Sequence, residues 1–183
     1  KNIDINQLTF FELNQHTNLQ NISHYIEPLL NGNDVGIISE AGCPAVADPG
    51  ALIVELVQQK DIKVVPLVGP SSILLALMAS GFNGQSFAFE GYLPIDNDKR
   101  IKRLKALESR IYNENQTQIF IETPYRNNKI VQDFITHCRP TTKLCIAAGI
   151  TTNNEFIKTK PLNVWKNSLP DLNKKPTIFL LYK

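Results

Sequence analysis

Three loops in this chain combine glycine, proline and small polar residues in the way a main chain must be built to receive a ligand closely. They are Ser39-Glu40-Ala41-Gly42-Cys43-Pro44-Ala45-Val46-Ala47-Asp48-Pro49-Gly50, Val68-Gly69-Pro70-Ser71-Ser72 and Glu122-Thr123-Pro124. Gly42 and Gly69 admit a ligand to the backbone, and the prolines keep the neighbouring hydrogen-bonding groups aimed. Glu90 and Glu122 follow strand-like residues and offer carboxylates that favour positive charge. Lys99, Arg100, Lys102, Arg103 and Lys105 form a basic run broken by apolar positions, which reads as a solvated helix face or as a phosphate-binding surface. Arg126 reads as one half of a surface ion pair.

Other chemistry-bearing residues have plainer readings. Asp48 stands before Pro49-Gly50 and reads as a helix cap. Cys43 reads as a small packed residue or, near a helix N-terminus, as a reactive thiol. Cys43, Cys138 and Cys145 are odd in number, at spacings of 95 and 7, and match neither a disulfide framework nor a zinc pattern. His16, His24 and His137 lack metal-ligand spacing, so no metal is expected. No nucleophile triad is visible.

The elements that must position these loops follow from hydrophobic pattern. Residues 9–13 read as a short strand, and Ile22, Tyr25, Ile26 and Leu29 have helical spacing closed by Asn31-Gly32. Val35-Gly36-Ile37-Ile38 is an apolar run without polar alternation, the pattern of a strand covered on both faces. A helix with Leu52, Ile53, Leu56 and Val57 buried follows, then a strand at 62–66 and an apolar helix stopped by Ser80-Gly81. This alternation predicts an α/β fold with a parallel, doubly wound sheet in the N-terminal part. In such a sheet, ligands bind beyond the carboxyl ends of the strands.

The texture changes after Gly81, and the domain boundary is placed near Asn83 to Gln85, giving an N-terminal α/β domain over residues 1–84 and a C-terminal one over 85–183. In the second, an aromatic strand-like stretch at 85–94 leads into an amphipathic helix at 96–110 with Ile101, Leu104 and Leu107 inward. A buried strand at 118–121 precedes a helix carrying Ile130, Val131, Phe134 and Ile135 on one face. Strands are predicted at 143–148, 155–158 and 177–182, with a short helix at 162–167.

Composition bounds the class. The chain has 183 residues, 43% hydrophobic and 20% charged, which excludes a disordered or low-complexity protein. Lys and Arg total 19 against 17 Asp and Glu, a net charge of +2 that demands no polyanionic partner. The apolar stretches are too short to span a bilayer, so no membrane segment is expected. The opening Lys1-Asn2-Ile3-Asp4 has neither an initiator Met nor a signal-peptide pattern, and the reducing cytoplasm is the expected compartment.

Taken in order, Ser39 to Gly50, Val64-Val65-Pro66-Leu67-Val68-Gly69-Pro70-Ser71-Ser72, Phe89-Glu90-Gly91-Tyr92-Leu93-Pro94 and Ile121-Glu122-Thr123-Pro124-Tyr125-Arg126 resemble the motifs of the tetrapyrrole methylase superfamily. The nearest likeness is to its ribosomal small-subunit RNA 2′-O-methyltransferase branch, whose motifs run Ser-Asp-Ala-Gly-Thr-Pro, Pro-Gly-Pro-Ser, Phe-Gly-Phe-Leu-Pro and Glu-Ser-Pro-His-Arg. The likeness extends over roughly residues 34–183. Glu40 and Cys43 stand where that branch has Asp and Thr, and Ala147-Ala148-Gly149-Ile150-Thr151 where it reads close to Ala-Arg-Glu-Leu-Thr. The strand and Pro/Gly loop with which related chains begin is not found before Thr9, so the N-terminal domain is expected to be partial.

The resemblance implies a two-domain homodimer that holds S-adenosylmethionine, folded up, in a cleft between domains and transfers its methyl group without a metal. By motif position, Gly42, Cys43 and Val46 would line the cofactor from the first loop and Ser71, Ser72 and Ile73 from the second, with Glu122, Gly149 and Thr177 completing the site. Arg126, where the rRNA branch has the Arg of His-Arg, would meet the substrate. The favoured acceptor is a ribosomal RNA 2′-hydroxyl, with the small ribosomal subunit as partner. Methylation of a tetrapyrrole carbon, or a catalytically silent RNA-binding or assembly module, are the alternatives.

Overall fold

The computed structural model describes residues 4–14, 16–17 and 19–183, with the backbone alone for 19–21. Lys1-Asn2-Ile3, on which the reading of the chain's start rests, lie outside them. The chain divides into two compact units, Lys1–Pro70 and Ser71–Lys183. This division falls before α4 (Ser72–Ser80), earlier than the boundary expected near Asn83 to Gln85, because α4 packs on strands of the second unit.

The second unit is built on one five-stranded sheet. Its strands are β1 (Phe87–Phe89), β2 (Thr117–Ile121), β3 (Lys143–Ala148), β4 (Phe156–Pro161) and β5 (Thr177–Tyr182), in the order β1-β2-β5-β3-β4. β1 and β2 are parallel, and the other pairs are antiparallel. On one face Phe120, Leu144, Ile146, Phe179 and Leu181 pack with Leu104, Leu107 and Ile111 of α5 (Asn97–Asn113) and Ile130, Val131 and Phe134 of α6 (Asn127–His137). On the other, Ile119, Cys145, Ala147, Ile178 and Leu180 meet Ala76 and Leu77 of α4. Both faces are covered, which is why β2, β3 and β5 read as largely apolar runs. Trp165, in α7 (Leu162–Trp165), is buried with its indole N–H donating to Leu144 O at 2.8 Å.

Arg100 braces the turn into α5. Its side chain is 1% exposed and donates to Asp133 Oδ2 at 2.7 Å, Ile95 O at 2.7 Å, Asn97 Oδ1 at 2.9 Å and Pro94 O at 3.2 Å. These four bonds offset the cost of burying the guanidinium.

The first unit gathers around Ile22, Ile26, Ile53 and Val57, from α1 (Leu19–Tyr25), the residue after it, and α3 (Gly50–Gln58), with Leu29 of α2 (Glu27–Leu30) beside them. Leu52, expected in the buried stripe of α3, is exposed. The expected strands at 9–13, 35–38 and 62–66 form no ladder among the described residues, so the mixed α/β character rests on the second unit's sheet and not on an N-terminal parallel one. The burial of these segments also differs from the expected pattern. Ile37, Ile62 and Val64 face the core while Ile38 is 82% exposed, so the segments have one covered face and not two. A cavity of about 740 Å³ is lined by residues of the first two segments, among them Phe10, Phe11, Val35 and Ile37. Among the described residues no helix is long and apolar enough to cross a membrane.

Candidate functional site

Strand register brings three residues from distant parts of the sequence to one end of the sheet. Ile121, closing β2, pairs with Ile178 of β5, and Ala148, closing β3, pairs with Thr177. Glu122, Thr177 and Gly149 therefore sit side by side, and the Gly149 amide donates to Pro176 O at 2.9 Å. β1 ends at the same edge, where Ile121 N donates to Gly91 O at 3.0 Å.

Glu122 is the chemically distinctive member. Its side chain is 1% exposed; Oε1 accepts the Thr123 amide at 2.7 Å, and Oε2 lies 3.2 Å from Arg126 Nη2. That contact pairs charge without hydrogen-bond geometry, leaving Oε2 without a donor. Asn127, fully buried at the first position of α6, shares the site. Its Nδ2 donates to Lys175 O at 2.7 Å, Leu172 O at 3.1 Å and Thr177 Oγ1 at 3.3 Å, while its Oδ1 has no partner. Two buried oxygens without a hydrogen-bond donor thus lie at one sheet end, Glu122 Oε2 with an ion-pair partner and Asn127 Oδ1 with none. Asn127 carries no warning in the sequence, where a polar residue at a helix start reads as local turn chemistry.

Gly149 is required by its backbone. It has φ +58°, and a Cβ there would come within 3.1 Å of Thr152 Oγ1, which itself donates to Gly149 O at 2.7 Å. Ile73, in the first turn of α4, packs on the apolar cluster that includes Ile121 and Ile178, the neighbours of Glu122 and Thr177. Ser71 is the N-cap residue of α4 but makes no side-chain cap bond, and Ser72 is exposed.

The first loop is described within its own unit. Gly42 (φ +75°), Ala45 (φ +65°) and Ala47 (φ +54°) all take the left-handed conformation, a tight winding stabilised by Asp48. Asp48 Oδ1 accepts from Ala45 N at 3.0 Å and Gly50 N at 2.8 Å, and Oδ2 from Ser39 Oγ at 3.0 Å. Burial raises the Asp48 pKa, but these three hydrogen bonds outweigh it and hold the carboxyl below its ordinary value. Asp48 therefore anchors the loop as well as the start of α3. Gly50 has no alternative, since a Cβ would lie 2.7 Å from Asp48 Oδ1. Cys43 is half-buried with Sγ 3.6 Å from Pro70 O, and Val46 is exposed.

The basic run divides. Arg100 is internal, and Arg103 and Arg110 both reach the Glu90 carboxylate, Arg110 Nη1 at 3.5 Å from Oε1. Only Lys99, Lys102 and Lys105 of the run stand exposed. Among the described residues no group of three or more His, Cys, Asp and Glu could hold a metal ion.

The family model for tetrapyrrole (corrin/porphyrin) methylases matches residues 9–164. The chain is 36% identical over 152 residues to a ribosomal RNA small subunit methyltransferase I of Vibrio cholerae, covering 83% of this chain and 51% of that protein. It is 31% identical over 175 residues to the protein of that name from Pasteurella multocida, covering 94% and 61%. The chain thus spans about half to three-fifths of these relatives' length. Among solved structures, the methyltransferase CobJ superposes with a TM-score of 0.62 at 18% identity over 93% of this chain and 73% of its own. Diphthine synthase does so with 0.57 at 16% over 77% and 57%. At such identities these two speak for the fold.

Proposed function

This chain belongs to the tetrapyrrole (corrin/porphyrin) methylase family, and from that premise we propose that it binds S-adenosylmethionine and methylates a 2′-hydroxyl of small-subunit ribosomal RNA. The observation that carries the cofactor half is a pair of buried oxygens without a hydrogen-bond donor, Glu122 Oε2 and Asn127 Oδ1, at the end of β2 beside Thr177 and Gly149. Such acceptors fit a ligand bearing amino donors and positive charge, and S-adenosylmethionine has both. The RNA half is supported by the relatives' names.

When bound, S-adenosylmethionine supplies a methyl group already activated on a sulfonium centre. The chain's task is then to bind, orient and exclude water. Glu122 would provide a fixed carboxylate whose charge is shared with Arg126 rather than quenched by it. Asn127, held by three donated bonds, would present Oδ1 at a fixed point, and Gly149 would admit a ligand to main chain. Ser71, Ser72 and Ile73 would add contacts from the start of α4. Arg126, half turned to solvent, is the candidate for an acceptor phosphate.

Calorimetric titration with S-adenosylhomocysteine tests the cofactor half. Saturable binding that weakens about tenfold or more in Glu122→Gln is expected, on the scale of one charge-assisted hydrogen bond. Absence of binding overturns the reading.

A further inference from the structure

The net charge of +2 conceals a segregation. Lys1–Pro70 holds 3 Lys and Arg against 8 Asp and Glu, a balance of −5, whereas Ser71–Lys183 holds 16 against 9, a balance of +7. Inside the second unit, three of the nine carboxylates are consumed internally, Glu90 by Arg103 and Arg110, Asp133 by Arg100, and Glu108 by the Arg139 amide and the Thr142 hydroxyl, and Glu122 lies beside Arg126. The unit's lysines stay on the surface, so its outside is strongly basic.

One group of these lysines is held in place beside the candidate site. Lys174 and Lys175, both exposed, precede β5 in a loop that is fastened to the start of α6. Lys174 N donates to Pro124 O at 3.2 Å, Asn127 Nδ2 to Lys175 O at 2.7 Å, Asn128 Nδ2 to Asp171 Oδ1 at 3.0 Å, and Leu172 N to Asn128 Oδ1 at 2.9 Å. Asp171 is the acidic neighbour, its carboxyl held below the ordinary value by hydrogen bonds from Asn128 and Asn173 and by the charge of Lys175. Lys174 has φ +58°, a conformation glycine or asparagine adopts more easily. What lysine adds there is charge. On the opposing loop Tyr125 is 76% exposed, and Lys129 stands exposed one turn into α6.

We propose that Tyr125, Lys129, Lys174 and Lys175 form a prearranged surface for a single-stranded RNA segment, the lysines meeting phosphates and the tyrosine ring stacking on an unpaired base. This rests on the RNA reading above and says which strand form is recognised and where. An exposed aromatic ring with lysines on a fastened neighbouring loop suits nucleotides, which carry a stacking face and a phosphate together, better than it suits an acidic protein surface, which offers no ring to stack.

Fluorescence anisotropy of full chain with a labelled oligocytidylate, at several salt concentrations, tests this. Lys174→Gln with Lys175→Gln is expected to weaken binding on the order of tenfold and to reduce the slope of log affinity against log salt by about 1.4, two phosphate contacts' worth for a single strand. Lys174→Arg with Lys175→Arg keeps the slope. Tyr125→Ala weakens binding about fivefold or more and leaves the slope unchanged. Unaltered affinity in the glutamine and alanine variants, or no RNA binding by the parent chain, overturns the proposal. So does equal loss of binding to poly-glutamate with Tyr125→Ala silent, which marks a general polyanion surface. If the variants lose RNA as expected while the parent transfers no methyl group, the surface stands and the methyl-transfer reading fails. If transfer is intact and the variants bind RNA like the parent, the surface alone fails.

Discussion

Arg126 reaches back from the start of α6 to Glu122 at the end of β2, Nη2 to Oε2 at 3.2 Å, and the carboxylate it meets is almost wholly buried. The pair links the strand that delivers Glu122 to the helix that covers it. Arg126→Ala leaves a buried charge without its counterion and is expected to cost about 1–3 kcal/mol in urea unfolding. Adding Glu122→Gln to that variant is expected to recover part of the loss. Strict additivity of the two single changes contradicts the coupling.

A deeper pair gives a larger effect. Asp133→Ala strands Arg100 among its backbone carbonyls, and about 3–5 kcal/mol of stability is expected to go. Arg100→Met combined with Asp133→Leu removes both charges and is expected to lose much less. A double variant as unstable as Asp133→Ala shows that shape, and not charge, is what the pair contributes.

The loop around Asp48 is expected to respond to acid. Its folded pKa lies below its ordinary value of 3.8, so the stability it contributes is complete above that pH and is lost as pH falls through the lower folded value. Asp48→Ala is therefore expected to destabilise the first unit at neutral pH, with the gap from the parent chain closing below about pH 3.8. A gap that stays constant down to the acid transition contradicts this assignment.

The three cysteines are expected to separate by reactivity. Burial, reinforced by the Glu108 carboxylate, pushes the Cys138 thiol up to about 12, and burial also raises Cys145, while Cys43 is half-buried in a loop. A maleimide at pH 8 should label Cys43 in the native chain and all three only after denaturation, read by mass spectrometry of peptides. Native labelling of Cys138 means that the core around α6 opens more readily than its packing implies.

Much of the second unit is legible in the sequence for a physical reason. β2, β3 and β5 are covered on both faces, so each is an apolar run, and α5 shows its buried stripe at Leu104 and Leu107 against a charged remainder. In the first unit Val35 to Ile38 has the same apolar texture, yet texture does not name a partner, and no ladder forms there. Glu122, Gly149 and Thr177 are identifiable singly by motif, but their meeting depends on the register of β2 with β5 and of β5 with β3, which no local pattern encodes. Arg100 lay in a run that reads as surface, and only the position of Asp133 in α6 shows that it turns inward. No local pattern marks Asn127, because its three partners lie 45 to 50 residues away.

Transfer of a labelled methyl group from S-adenosylmethionine to RNA of undermethylated small ribosomal subunits, in the parent chain and in Glu122→Gln, is the most direct test. Label at a ribose 2′-oxygen, falling at least about tenfold in Glu122→Gln while the fold is retained, is the predicted result. Transfer to a tetrapyrrole acceptor in place of RNA, or RNA methylation indifferent to Glu122, contradicts the account.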